Sequence, residues 1–73
     1  MITQKEIANF FDRRADGASS KQIWFLAALM LKAGVEHAES EIEDMRLNSS
    51  FRLTSREASS MIEYYLNSQK KAA

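Results

Sequence analysis

Apolar residues recur along this chain at spacings of three and four, the period of a helix face, and polar cap signals cut the pattern into segments. The clearest stripe is Ala58, Met61, Ile62, Tyr65 and Leu66, at positions i, i+3, i+4, i+7 and i+8. Ile7, Phe10 and Phe11 make a shorter stripe near the start. Between them runs "IWFLAALML", Ile23 to Leu31, apolar on every side: Ile23, Ala27, Met30 and Leu31 share one face while Phe25 and Leu29 point to another. A helix apolar all round is buried all round. This segment is therefore expected as a central helix covered by the others, or as one with a face reserved for a partner.

Start signals confirm the division. Thr3 with Glu6, Ser19 with Gln22 and Thr54 with Glu57 each have the spacing of a capping box, in which the hydroxyl takes the third amide and the longer side chain reaches back to the cap amide. Ile2 and Ile7 stand where a hydrophobic staple would fix the entry angle. Three boxes predict three main helices, about Gln4 to Ala15, Ser20 to Ala33 and Ser55 to Asn67. Arg13, Arg14 and Lys32 fall in last turns, where cations suit the negative dipole end, and Gly17 and Gly34 follow as stops. From Val35 to Arg52 the pattern thins. Val35, Ala38, Ile42 and Met45 keep helical intervals, and Ser40 is placed to cap a short helix starting at Glu41. "LNSSFR" reads as an extended connection anchored by Leu47 and Phe51, and "NSQKKAA" as a frayed tail. The openings "TQKEIANFF" and "TSREASSMI" look alike, for which shared capping chemistry is a simpler reason than duplication.

Composition agrees with this division: there is no proline, there are two glycines, and good helix formers fill the periodic stretches. The fold class expected is all-α, a compact bundle of three main helices plus a short one. All 73 residues form one small domain: an N-terminal helix over 1–18, a two-helix module over 19–66, and the tail. A chain this size buries only about 60% of its unfolded surface, and with no cysteine it has no disulfide or zinc staple. Packing or self-association must supply the stability.

Charge narrows the functions. Ten basic and ten acidic side chains cancel, so there is no global cationic field, and nucleic-acid binding would rest on a local patch. No secretory signal is legible and the apolar run is too short to span a membrane, so a soluble cytoplasmic protein is expected. His37 is the sole histidine and no nucleophile elbow or phosphate loop accompanies it, so no catalytic residue, cofactor or metal is assigned. Glu36, Glu39, Glu41, Glu43 and Asp44 lack calcium-loop spacing and read as a solvated face, with docking to a basic surface as a second role. More suggestive are Lys21 and Arg56, in the first turns of two helices beside Ser19, Ser20, Thr54 and Ser55, with Arg52 just upstream. Helix starts offer free amides and a favourable dipole to phosphate.

The order "SSKQIWFLAALMLKAGVE", a spacer, then "LTSREASSMIEYYL" resembles a small helical module of phage and prophage proteins and of the ends of some DNA-handling proteins. The matching positions are Gln22, Leu26, Ala33 and Gly34, then Leu53, Thr54, Glu57, Ala58, Ser59 and Ile62. The arrangement also looks like the SAP and HeH class of helix, extended loop, helix DNA-binding modules, with a longer spacer. That resemblance implies weak backbone contact with DNA through Lys21, Arg52 and Arg56, with Ser55 as a hydroxyl donor. The acidic spacer departs from the basic surface of such modules. It keeps open an alternative, a protein-interaction module, adaptor or inhibitor of a DNA-handling complex, or a homodimer, using Trp24, Phe25 and Leu29 or the acidic Glu39 and Glu43.

Overall fold

The computed structural model describes residues 2–48 and 51–72, the last three by their backbone alone. It is all-helical: α1 (Gln4–Arg13), α2 (Ser20–Lys32), α3 (Val35–Leu47) and α4 (Ser55–Ala72). The three capped starts form as their residues require. Thr3 Oγ1 accepts from the Glu6 amide at 3.3 Å, Ser19 Oγ from the Gln22 amide at 3.2 Å, and Thr54 Oγ1 from the Glu57 amide at 3.1 Å. Only the middle box is reciprocal, with Gln22 Oε1 accepting from the Ser19 amide at 3.0 Å. Glu6 and Glu57 turn instead to the cap hydroxyls, at 3.5 and 3.4 Å.

Helix α3 differs from expectation. It begins at Val35, not Glu41, and it matches α2 in length, so Ser40 lies inside it and caps nothing. The cause is Gly34. Its φ of +129° turns the chain sharply at the end of α2, its amide closes on Leu31 O at 3.0 Å, and its own carbonyl accepts from the Ala38 amide at 3.0 Å. A single glycine therefore stops one helix and starts the next. Leu47, expected as an anchor, is 79% exposed, because it lies round the helix from Ala38 and Ile42, which face the core. Phe51 does anchor, stacked on Phe10 at 6.5 Å and edge-on to Phe11 at 6.1 Å. Ser49 and Ser50 of the connection lie outside the described residues. The segment expected to fray continues α4 to Ala72, since Ser, Gln, Lys and Ala contain no stop signal.

The core gathers Ile7 and Phe11 from α1, Ile23, Leu26, Ala27, Leu29 and Met30 from α2, Ala38 and Ile42 from α3, and Ala58 and Tyr65 from α4, with Leu53 between α3 and α4. Helix α2 packs against each of the other three helices, which accounts for its buried Ile23, Leu26, Ala27, Leu29 and Met30 but not for Trp24 and Phe25, which stay about half exposed. Leu53 is fully buried and its backbone pairs with the turn after α1, donating to Arg14 O at 2.9 Å and accepting from the Asp16 amide at 2.7 Å. That bridge ends α1 at Arg13, short of Ala15, and fixes the entry of α4.

Candidate nucleic-acid interface

The starts of α2 and α4 lie side by side, and one side chain joins them. Gln22 Nε2 donates to Ser55 O at 3.3 Å and to Ser59 Oγ at 3.0 Å, while its Oε1 accepts from the Ser19 amide and from Ser55 Oγ at 3.3 Å. A primary amide has two donors and two acceptor sites, and all four are in use. At the other end His37, just past the end of α2, meets Tyr65, far along α4, with Nε2 and the phenol oxygen 2.9 Å apart. One contact beside the start of α2 and one just beyond its end, where α3 begins, are met in the same order along α4, so α2 and α4 run parallel. Their positive dipole ends therefore share one corner of the molecule.

Four amides at that corner, those of Ser20, Lys21, Ser55 and Arg56, precede the first helical hydrogen bonds of their helices. Gly17 passes close by, a Cβ there standing in ordinary contact at 3.9 Å from the Ser55 amide nitrogen, and its φ of +106° is what favours glycine at this turn. Lys21 follows the cap of α2 by two places and Arg56 that of α4 by two, so the Gln22–Ser55 contact brings their backbones together. Both side chains are solvent-exposed, and neither forms an ion pair among the described residues. Arg52 stands just upstream of the Leu53 bridge and faces Asp16 across 3.8 Å, with both side chains largely in water. Such a pair contributes little and leaves the guanidinium free to exchange partners. Ser55, expected as a hydroxyl donor, gives its hydroxyl proton to Gln22 Oε1 at 3.3 Å at an exposed position.

The other expected residues divide. Trp24 and Phe25 are 51% and 46% exposed. Leu29, expected beside them, is only 5% exposed and belongs to the core, because the other helices close over its side of α2. Glu39 and Glu43 line a cleft with Ile2 and Glu6, whereas Trp24 lines one with Lys5, Asn9 and Asp12, on the other flank of α1. Glu39 accepts from the Ile2 amide at 3.2 Å and Glu43 lies 4.0 Å from Arg46. Acidic and aromatic candidates thus form two surfaces. Gln22, the residue that assembles the corner, reads from sequence as a cap alone; its amide, where the other boxes carry a carboxylate, is the available signal.

Among the described residues no group of three or more His, Asp or Glu side chains is placed to hold a metal ion, and no helix is long and apolar enough to cross a membrane. Comparison with known proteins finds no matching family model, no curated relative and no matching solved structure.

Proposed function

We propose that this chain is a non-enzymatic DNA-contact module, an accessory domain of the phage and mobile-element type it resembles, and that it holds the DNA backbone at the shared corner of α2 and α4. The observation that carries this reading is the Gln22 link, which sets two helix starts side by side with Lys21 and Arg56 flanking them. Phosphate oxygens accept from free helix amides, and the two dipoles and flanking cations favour the negative charge. Over 19–66 the chain runs α2, α3, a short connection and α4, so a 13-residue helix fills the spacer where a SAP/HeH-like module has an extended loop, and the reading rests on the helix starts. Contacts of this kind position a backbone and read no base, so binding is weak and indifferent to sequence.

Titration of the full chain with a short labelled duplex across a salt series tests it. Log affinity is expected to fall linearly with log salt, and Lys21→Gln with Arg56→Gln to make the slope shallower by about 0.9 for each phosphate left without its cation. Amide shifts should cluster at Ser20, Lys21, Ser55 and Arg56. No shift at low salt would sink the reading.

A second reading rests on the exposed Trp24 and Phe25, which give α2 an aromatic face suited to a protein partner or a second copy. It predicts salt-insensitive association that Trp24→Ala or Phe25→Ala removes without unfolding the monomer. Association unchanged in both variants would rule that face out.

A further inference from the structure

Next to the shared corner lies a cleft of about 660 Å³ lined by Glu6, Asn9, Phe10, Arg13, Arg14 and Arg46. Three of its six residues are arginines against one acid, in a chain with no net charge. The arginines come from the ends of two helices: Arg13 and Arg14 close α1, and Arg46 is in the last turn of α3. Complementing the helix dipoles accounts for one cation at each end. It does not account for a second at α1, nor for how two of them are held.

Phe10 acts as a post between them. The Arg14 guanidinium sits 5.1 Å from the ring centroid and that of Arg46 5.8 Å, while the ring packs edge-on to the fully buried Phe11 at 5.4 Å and stacks on Phe51 at 6.5 Å. Cation–π contact on a ring anchored in the core restrains both guanidiniums before any ligand arrives. The restraint lowers the entropy lost when the forks close on an anion. Neither Arg13 nor Arg14 has an ion-pair partner among the described residues, and the Arg46–Glu43 pair is exposed and long, at 4.0 Å. A smaller cleft of about 280 Å³ shares Arg13 and Arg14 and extends to Arg52 and Asp16. Arg52 is also the cation just upstream of α4, so the arginines continue the corner where α2 and α4 begin.

We infer that the Arg13–Arg14–Arg46 cleft is a second phosphate site, taking a phosphodiester group of the same nucleic-acid backbone that the helix starts contact; the inference rests on the proposed function and extends its footprint. Paired guanidinium forks match the geometry of phosphate oxygens, and a cleft this open admits a continuous backbone as well as a free anion.

The test compares salt slopes for a labelled duplex across two sets of variants of the full chain. Arg13→Gln with Arg46→Gln is expected to make the slope shallower by about two, and Lys21→Gln with Arg56→Gln by a similar amount through separate contacts. Among the described residues Arg13 makes no cation–π contact, so Arg13→Gln alone, expected to make the slope shallower by about one, remains informative should loss of Arg46 from Phe10 perturb the fold. A slope unchanged by the cleft variants, with the helix-start variants effective, overturns the inference and leaves the proposed function standing. No salt-dependent binding by the unaltered chain overturns both. In a parallel arm with inorganic phosphate, saturable shifts at the cleft arginines that duplex DNA fails to reproduce would make it a small-anion site, and that too overturns the proposal.

Discussion

The two ends of the parallel α2–α4 pair are joined in opposite ways. At the start, one half-buried side chain, Gln22, makes four hydrogen bonds that water competes for; beyond the far end of α2, His37 in the first turn of α3 meets Tyr65 of α4, Nε2 to phenol oxygen at 2.9 Å, in a partly buried contact with the two rings edge-on at 5.6 Å. Number of bonds and stabilisation need not run together. Each exposed bond exchanges with solvent and contributes little net, whereas the buried phenol brings apolar area with it and would leave an unpaired polar group if its partner were removed. The Tyr65 contact therefore fastens α4 where α2 passes into α3, and the Gln22 contact sets where α4 starts.

Tyr65→Ala should have the largest effect. The ring is 6% exposed and packs α4 onto the core, so its removal is expected to cost about 3–5 kcal/mol, as for other buried aromatics. In a domain this small that is a large part of the total stability. Urea denaturation would show a midpoint at or near zero denaturant. A loss under about 1 kcal/mol would mean that α4 is held from its start and would reverse the comparison.

Gln22→Ala should cost less, about 1–2 kcal/mol, because the freed groups of Ser19, Ser55 and Ser59 can turn to water. Its structural effect should be local. Amide exchange is expected to rise at Glu57 and Ala58, whose amides donate to Thr54, while Tyr65 and Ile62 stay protected. Gln22→Glu sharpens the point: the carboxylate can still accept from the Ser19 amide and from Ser55 Oγ but cannot donate to Ser55 O or Ser59 Oγ, so it should keep the cap and weaken the link. If Gln22→Glu left the α4 start as protected as the unaltered chain, the link would not be what positions it.

This asymmetry explains what could be read in the sequence. Helix starts were legible because Thr3, Ser19 and Thr54 announce them locally, and the central position of α2 was legible because its apolar residues go all the way round. The extent of α3 was hidden, since Gly34 caps it with backbone alone and only Ala38 and Ile42 are buried along it. Phe25 and Leu29 show the limit of periodicity: spacing says that two residues share a side, not which of them a neighbouring helix covers. Lys21 and Arg56 were visible as first-turn cations. That their helices start together was not, because parallel packing of α2 on α4 is a long-range fact, and its one local sign is an amide in place of a carboxylate.

The smallest effect expected at neutral pH is also the most diagnostic. Tyr65→Phe keeps the ring and removes only the hydroxyl that meets His37, which should cost about 1 kcal/mol near pH 7. Alkaline pH should reverse the order. Burial, with the nearby charges of Glu41 and Tyr64, pushes the Tyr65 phenol from 10.0 up to about 12. The folded chain thus holds a proton that the unfolded chain releases, so the contribution is complete below pH 10 and is lost progressively as pH rises from 10 to 12. Tyr65→Phe has no such proton. Stability measured from pH 7 to 12 in both proteins should therefore converge and then cross above pH 10. Curves that stayed parallel throughout would show that the Tyr65 hydroxyl is hydrated in solution, and the far end of the pair would then rest on ring packing alone.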